Sequence, residues 1–242
     1  MDSKFEPVLP GGRPATLPPI ATPEPLAVDS ARVLRNTYWL LALSLLPTVA
    51  GALVGTQLNF IGLFRTAPIM TPLLMLAVMM GSLWVVTLLR NSAWGIAALF
   101  GFTFISGLML TPILSVAAGF RNGGQLVALA GGLTAGVFFA LAAYATISKR
   151  DFSFLGKFLF VGVVLLLIAM VANLFFQVPA ASLALSAIAV MIFSLYLLFD
   201  LSRIVRGGET NYVMATLALF LDLFNIFVNL LSLLLAFSGQ RD

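Results

Sequence analysis

The chain is predicted to fold as an all-α membrane protein, a seven-transmembrane-helix bundle behind a disordered N-terminal tail, and three observations carry that prediction. Of its 242 residues 61% are hydrophobic and only 9% charged, and the mean hydropathy is +1.08, far beyond the range of soluble domains. Seven apolar stretches each approach the ~20 residues that a helix needs to cross the hydrocarbon. The connections between them are short, so sequential helices should be antiparallel neighbours.

Residues 1–31 are expected to form a disordered tail, with the transmembrane domain at 32–242. Up to Ser30 the chain holds seven of its twelve prolines, including Pro18-Pro19 and Thr22-Pro23-Glu24-Pro25, with few large apolar side chains. Before Tyr38 there is no apolar run of the kind a signal peptide needs, so the tail is expected to stay in the cytosol. The spans then run over about 38–58, 67–89, 93–118, 126–147, 154–176, 180–201 and 212–237.

Orientation follows from the basic residues. An N-terminus inside the cell gathers Lys4, Arg13, Arg32, Arg35, Arg90, Lys149, Arg150, Lys157, Arg203 and Arg206 on the cytoplasmic side and leaves Arg65, Arg121 and Arg241 outside. Ten against three places the C-terminus outside. The uncharged loop Gln177-Val178-Pro179 admits one alternative, a hairpin of the fifth and sixth spans that turns within the membrane. In the fourth span Gly132 and Gly136, with Gly131 beside them, have the spacing that lets helices approach closely in lipid.

Several function classes are excluded by what is missing. There is no Cys and no His, hence no thiolate nucleophile, disulfide, imidazole metal ligand or histidine proton switch. The net charge of +4 and pI near 9.9 come from single basic residues between apolar spans, a topology signal and not a nucleic-acid surface. Gly207-Gly208-Glu209-Thr210 lacks the lysine and spacing of a phosphate loop, and no HExxH or GxSxG pattern occurs. A pair of intramembrane aspartates could suggest an intramembrane protease, but the Tyr-Asp and Gly-Asp contexts of the presenilin type are absent. The chain reads as non-enzymatic.

Two acids stand within apolar spans: Asp200 near the end of the sixth and Asp222 about ten residues into the seventh. A charge at mid-bilayer costs roughly 2.5 to 3.5 kcal/mol on insertion scales, so such residues face a partner, a cavity or an ion path. The seventh span also sets Asn225, Asn229 and Ser232 three, seven and ten residues after Asp222, on one helix face that cannot point at lipid. For the asparagines the plain alternative is interhelical hydrogen-bond glue. For Asp200, which has Tyr196 one turn before it, the alternative is a helix-end ion pair with Arg203 three residues after it. The sixth span runs outside to inside and the seventh returns, so both acids fall in the cytoplasmic half. At ~1.5 Å per residue, Asp222 is expected to lie several ångströms deeper. Should they meet, they titrate as a coupled pair. A protonated, hydrogen-bonded pair holds the helices together and deprotonation drives them apart, a pH-gated latch. The ionised pair also offers hard oxygen ligands suited to Ca²⁺.

At these residues the sequence resembles the Bax inhibitor 1 (transmembrane Bax inhibitor motif) family, in its bacterial YccA-like branch. The likeness is carried by Val33-Leu34-Arg35-Asn36-Thr37-Tyr38, Asp151-Phe152-Ser153-Phe154-Leu155-Gly156, Met170-Val171-Ala172-Asn173 and, most specifically, Gly207-Gly208-Glu209-Thr210-Asn211-Tyr212 followed by Asp222-Leu223-Phe224-Asn225-Ile226-Phe227-Val228-Asn229-Leu230-Leu231. The resemblance implies seven helices with the last enclosed by the other six. It implies paired aspartates at Asp200 and Asp222 tied to a pH-sensitive Ca²⁺ leak, with Ca²⁺ as a transported ion and no tightly bound cofactor. It also implies a second-helix arginine near the pair, for which Arg90 is the nearest residue. The branch implies residence in the bacterial inner membrane and association with the membrane protease FtsH, whose activity such proteins modulate. The expected partners are therefore the lipid bilayer and FtsH.

Overall fold

A computed structural model describes residues 25–58, 60–148 and 150–239, and among them every regular element is an α-helix. In chain order these are α1 (Pro25–Gln57), α2 (Ile61–Thr66), α3 (Met70–Leu89), α4 (Trp94–Met109), α5 (Thr111–Ala118), α6 (Gly123–Ser148), α7 (Leu155–Phe176), α8 (Pro179–Val205) and α9 (Tyr212–Ser238). Seven segments are long and apolar enough to cross a membrane, with α4 and α5 together making the third. This is the seven-span bundle that the composition predicts.

The boundaries differ from the apolar windows in three places, each for a physical reason. The expected tail lies outside the described residues as far as residue 24, but from Pro25 the chain is already helical. At 1.5 Å per residue the 33 residues of α1 extend about 50 Å against ~30 Å of hydrocarbon, and hydropathy registers only the part that lipid would cover. The third span is broken at Leu110, whose N–H turns tightly onto the Gly107 carbonyl at 3.0 Å, and Pro112, without an N–H, stands at the second position of α5. The short α2 has no buried residue, and its six residues are too few to register as a span.

The fifth and sixth spans are the full helices α7 and α8, of 22 and 27 residues, or about 33 and 40 Å. Each is long enough for a complete crossing. Between them Gln177 adopts φ 52° and donates to the Asn173 carbonyl at 2.7 Å. The Asn173 side chain accepts from the Val178 N–H at 3.1 Å and donates to Ser182 Oγ at 2.7 Å, closing the turn.

The last helix is the centre of the bundle. It packs on α8, α6, α1, α4 and α5, while α3 packs on α4 and α7 on α8. Of the most apolar window of each span, 39% is buried in α9 but only 6% in α3 and 11% in α7, so those two form the lipid-facing layer. The core joins Leu219, Phe220 and Ile226 of α9 to Leu99 and Phe102 of α4 and Leu197 and Leu201 of α8. The Phe102 and Phe220 rings meet edge to face at 5.9 Å.

Close helix contact occurs elsewhere than expected. A Cβ on Gly51 of α1 would lie 2.1 Å from the Phe104 carbonyl oxygen, and one on Gly107 of α4 would lie 2.0 Å from that of Thr48. Here two backbones touch, as small residues permit in lipid. At Gly131, Gly132 and Gly136 an added Cβ would meet nothing within 4 Å, so the fourth-span glycines face outward and the expectation of a contact there is corrected.

Candidate functional site: a buried acid pair at one end of the central helix

The start of α9 is fixed by Asn211, whose backbone is extended. Its Oδ1 accepts from the N–H groups of Val213 and Met214, both at 3.0 Å, satisfying two of the free donors at the helix start. Its Nδ2 donates to the Arg90 carbonyl at 3.0 Å and to Asn91 Oδ1 at 2.8 Å. One side chain thus caps the central helix and ties it to the α3–α4 turn.

The loop before it is equally ordered. Arg203 Nη2 pairs with Glu209 Oε2 at 3.2 Å, and its Nε donates to the Gly208 carbonyl at 3.3 Å. Glu209 Oε1 accepts from the Asn211 N–H at 3.0 Å. Beside this loop Arg206 forms an ion pair with Asp151, and Ser202 Oγ donates to the Arg150 carbonyl at 2.9 Å, joining α8 to the α6–α7 connection. The Ser153 hydrogen bond, with the N–H at 2.8 Å, and the Arg206 guanidinium hold the Asp151 carboxyl well below the usual carboxylate range.

One to three turns inside this end, Asp200 of α8 and Asp222 of α9 bring their carboxyl groups within hydrogen-bonding reach of each other. Asp222 is only 4% exposed and Asp200 half-buried. As an ionised oxygen, Asp222 Oδ2 is buried without any donor. Two carboxylates are acceptors only, so the contact is a hydrogen bond when a proton lies between them and a clash of charges when none does. Tyr196, one turn before Asp200 and half-buried, stands close enough to feel the charge of both acids.

The expected difference in depth is absorbed by the loop. Asp200 lies five residues from the end of α8 and Asp222 ten from the start of α9, a mismatch of about 7 Å. The non-helical stretch 209–211, which at ~3.3 Å per residue can cover about 10 Å, lets α9 begin beyond the end of α8.

The other expected site residues are placed apart from the pair. Arg90 is exposed at the end of α3; its carbonyl serves Asn211, and its side chain makes no ion pair or hydrogen bond with another described residue. The arginine whose charge acts on Asp200 is Arg203, and it does so through space while pairing with Glu209, so the plain helix-end pair with Asp200 does not form. Asn225 and Asn229 donate to the carbonyls of Leu221 and Asn225, both at 2.8 Å, within their own helix. They are not glue between helices. Ser232 lines an open cleft of about 770 Å³ between α5 and α9, toward the far end of the bundle. Asn211 was missed as a site residue, although Asn at the start of an apolar span is a helix-cap signal.

The pair supplies two carboxylates. Among the described residues no group of three or more Asp or Glu gathers. A divalent cation wanting six to eight oxygens, as Ca²⁺ does, would have to complete its shell with water or carbonyls.

These observations define a class first: a multi-pass membrane protein whose central helix carries a buried acid pair near one end. Residues 30–239 match the family described as "Inhibitor of apoptosis-promoting Bax1", and the chain belongs to the Bax inhibitor 1 family. It is 43% identical over 209 residues to the "Modulator of FtsH protease YccA" of Escherichia coli K12, covering 86% of this chain and 91% of that protein. A membrane protein of Vibrio cholerae is 39% identical over 207 residues, covering 86% and 90%. The name "Inner membrane protein YccA" is carried by a relative from a second Escherichia coli strain, again 43% identical.

Proposed function

We propose that the protein is a pH-sensitive cation leak of the inner membrane, non-enzymatic, in which Asp200 and Asp222 act as a latch at the cytoplasmic end. The observation that supports this reading is the contact of the two carboxyl groups within the central helix packing. With one proton shared, α8 is held against α9. With none, two charges at about 4 Å repel by roughly 4 kcal/mol at an effective dielectric of ~20, and separation of the helices relieves it. The gap then opened is lined by hard oxygens, which favours Ca²⁺ over softer ions. The assignment of this end to the cytoplasm follows from the distribution of basic residues. The test is Ca²⁺ entry into liposomes across pH: wild type should pass more ion as pH rises. Asp200→Asn and Asp222→Asn should flatten that response, and unchanged curves in both variants refute the latch.

A second reading rests on the Escherichia coli relative, named as a modulator of FtsH protease. By that likeness this chain restrains an FtsH-type protease by binding it within the membrane. Co-purification of the protease with the full chain, together with slower degradation of a membrane substrate, is the expected result. Absence of a complex and unaltered degradation on deletion of the gene would refute it. The two readings are compatible.

A further inference from the structure

We propose that one exposed face of α1 is a docking site for an anionic phospholipid, with the headgroup phosphate held by Arg32 and Arg35 and the chain lying along the helix below Trp39. Residues 32, 35, 39, 43 and 46 follow at steps of three and four and so share one side of the helix. All five are exposed, Trp39 by 68%. Along the axis this stripe presents two guanidiniums, an indole and then leucines. A phospholipid presents the complementary series of phosphate, polar–apolar boundary and acyl chain. From Arg32 to Leu46 the helix rises about 21 Å, which is half of the ~40–45 Å of a bilayer with its headgroups, the depth of one leaflet.

The two guanidiniums find no acid in the protein. Of the carboxylates among the described side chains, Glu209 takes Arg203, Asp151 takes Arg206, and Asp200 and Asp222 face each other. Arg32 and Arg35 make no ion pair among the described residues. Yet α1 stands beside the same loop: a Cβ on Gly207 would lie 3.8 Å from Ser30 Cβ, and Thr216 Oγ1 of α9 lies 3.4 Å from the Thr37 carbonyl. At this end of the bundle the arginines turned to the loop are neutralised in place, and those turned outward on α1 are not.

The same chemistry recurs on other outer helices. Arg90, exposed and without an ion pair among the described residues, is followed one turn later by exposed Trp94. Lys157 of α7 is exposed between Phe154 and Phe158, which are exposed as well. An acidic protein segment would dock on one side of the bundle, whereas a leaflet surrounds it. Cations beside aromatic rings on several separate helices match the leaflet. On α1 two arginines adjoin one ring, and a guanidinium can donate to two phosphate oxygens at once.

The experiment uses the indole of the site. With Trp84→Phe and Trp94→Phe the full chain keeps Trp39 as its only tryptophan. It is placed in phosphatidylcholine liposomes that contain brominated phosphatidylglycerol or, in parallel, brominated phosphatidylcholine with the same chains. Bromine quenches an indole that its own chain touches. The anionic lipid should reach half-maximal quenching at a roughly tenfold lower mole fraction, the scale expected of two basic side chains at an anionic surface. Arg32→Gln with Arg35→Gln should bring the two lipids within about twofold of each other; glutamine is as good a helix former as arginine, so α1 is retained. Arg65→Gln with Arg121→Gln removes equal charge elsewhere and should leave the preference in place. Equal quenching by the two lipids in the chain with its native arginines overturns the proposal. So does a preference that survives loss of Arg32 and Arg35, or one that falls as far on loss of Arg65 and Arg121, which would be attraction to net charge alone. A Trp39 that neither lipid quenches is covered by protein, and that result overturns it too.

Discussion

Replacing Asn211 separates two roles that one side chain performs. Asn211→Ala removes the oxygen that accepts from Val213 and Met214 and the nitrogen that donates to Arg90 and Asn91. Loss of a helix cap costs about 1 kcal/mol. The two tethers are each worth ~0.5 kcal/mol, the low end for hydrogen bonds, because water reaches that turn. The total is about 2 kcal/mol. Asn211→Ser keeps a capping oxygen and loses only the tethers, so it should fall near 1 kcal/mol. The assay is reversible unfolding of the purified chain in mixed micelles, followed by circular dichroism against the denaturing detergent. The expected order is wild type, Ser, Ala, in roughly equal steps. A Ser variant as stable as wild type refutes the tether to the α3–α4 turn, and Ser no better than Ala refutes the cap.

Three further outcomes follow from the same structure. Gly107→Ala should destabilise by about 1–3 kcal/mol in that assay, because its Cβ meets the Thr48 backbone at 2.0 Å; Gly132→Ala, which meets nothing, should be neutral or slightly stabilising. Asp151 is held ionised in the folded state, so its contribution to stability is present above the ordinary carboxylate value of about 3.9 and is lost as pH falls through the lower folded value. The unfolding midpoints of wild type and Asp151→Asn should therefore differ at pH 7, and the difference should begin to narrow as pH falls below the ordinary carboxylate value and vanish only below the lower folded value. Asp222→Asn removes the roughly 4 kcal/mol of repulsion available to open the latch, and Ca²⁺ entry at pH 8 should drop by at least about a hundredfold; a drop of less than about threefold contradicts that magnitude.

The spans were legible because hydropathy reports the one solvent property that a bilayer imposes on every crossing helix. What hydropathy does not report is where a helix ends in water or how two helices touch. Hence α1 begins at Pro25 and not near Tyr38, and the third span breaks at Leu110. The glycines show the same limit. Gly132 and Gly136 have the spacing of a helix contact, yet they face outward, whereas Gly51 and Gly107 bring α1 and α4 together from helices distant in sequence. Spacing within one helix gives a face; only the partner decides whether that face is covered.

The acid pair was legible for a different reason. Asp200 and Asp222 are costly in an apolar span, and a short loop between two antiparallel helices limits where they can go. Their meeting depended on a feature that residue counting misses, the extended lead-in to Asn211, which offsets the start of α9 by about the depth that separates them. The surrounding charges were less legible because side-chain reach depends on that same loop. Arg90 was expected near the pair and instead lends its carbonyl to the cap of α9, while Arg203, which the plain alternative paired with Asp200, is drawn across Gly208 to Glu209. The loop between the last two spans therefore decides both the depth at which the acids meet and the carboxylate on which the Arg203 guanidinium rests.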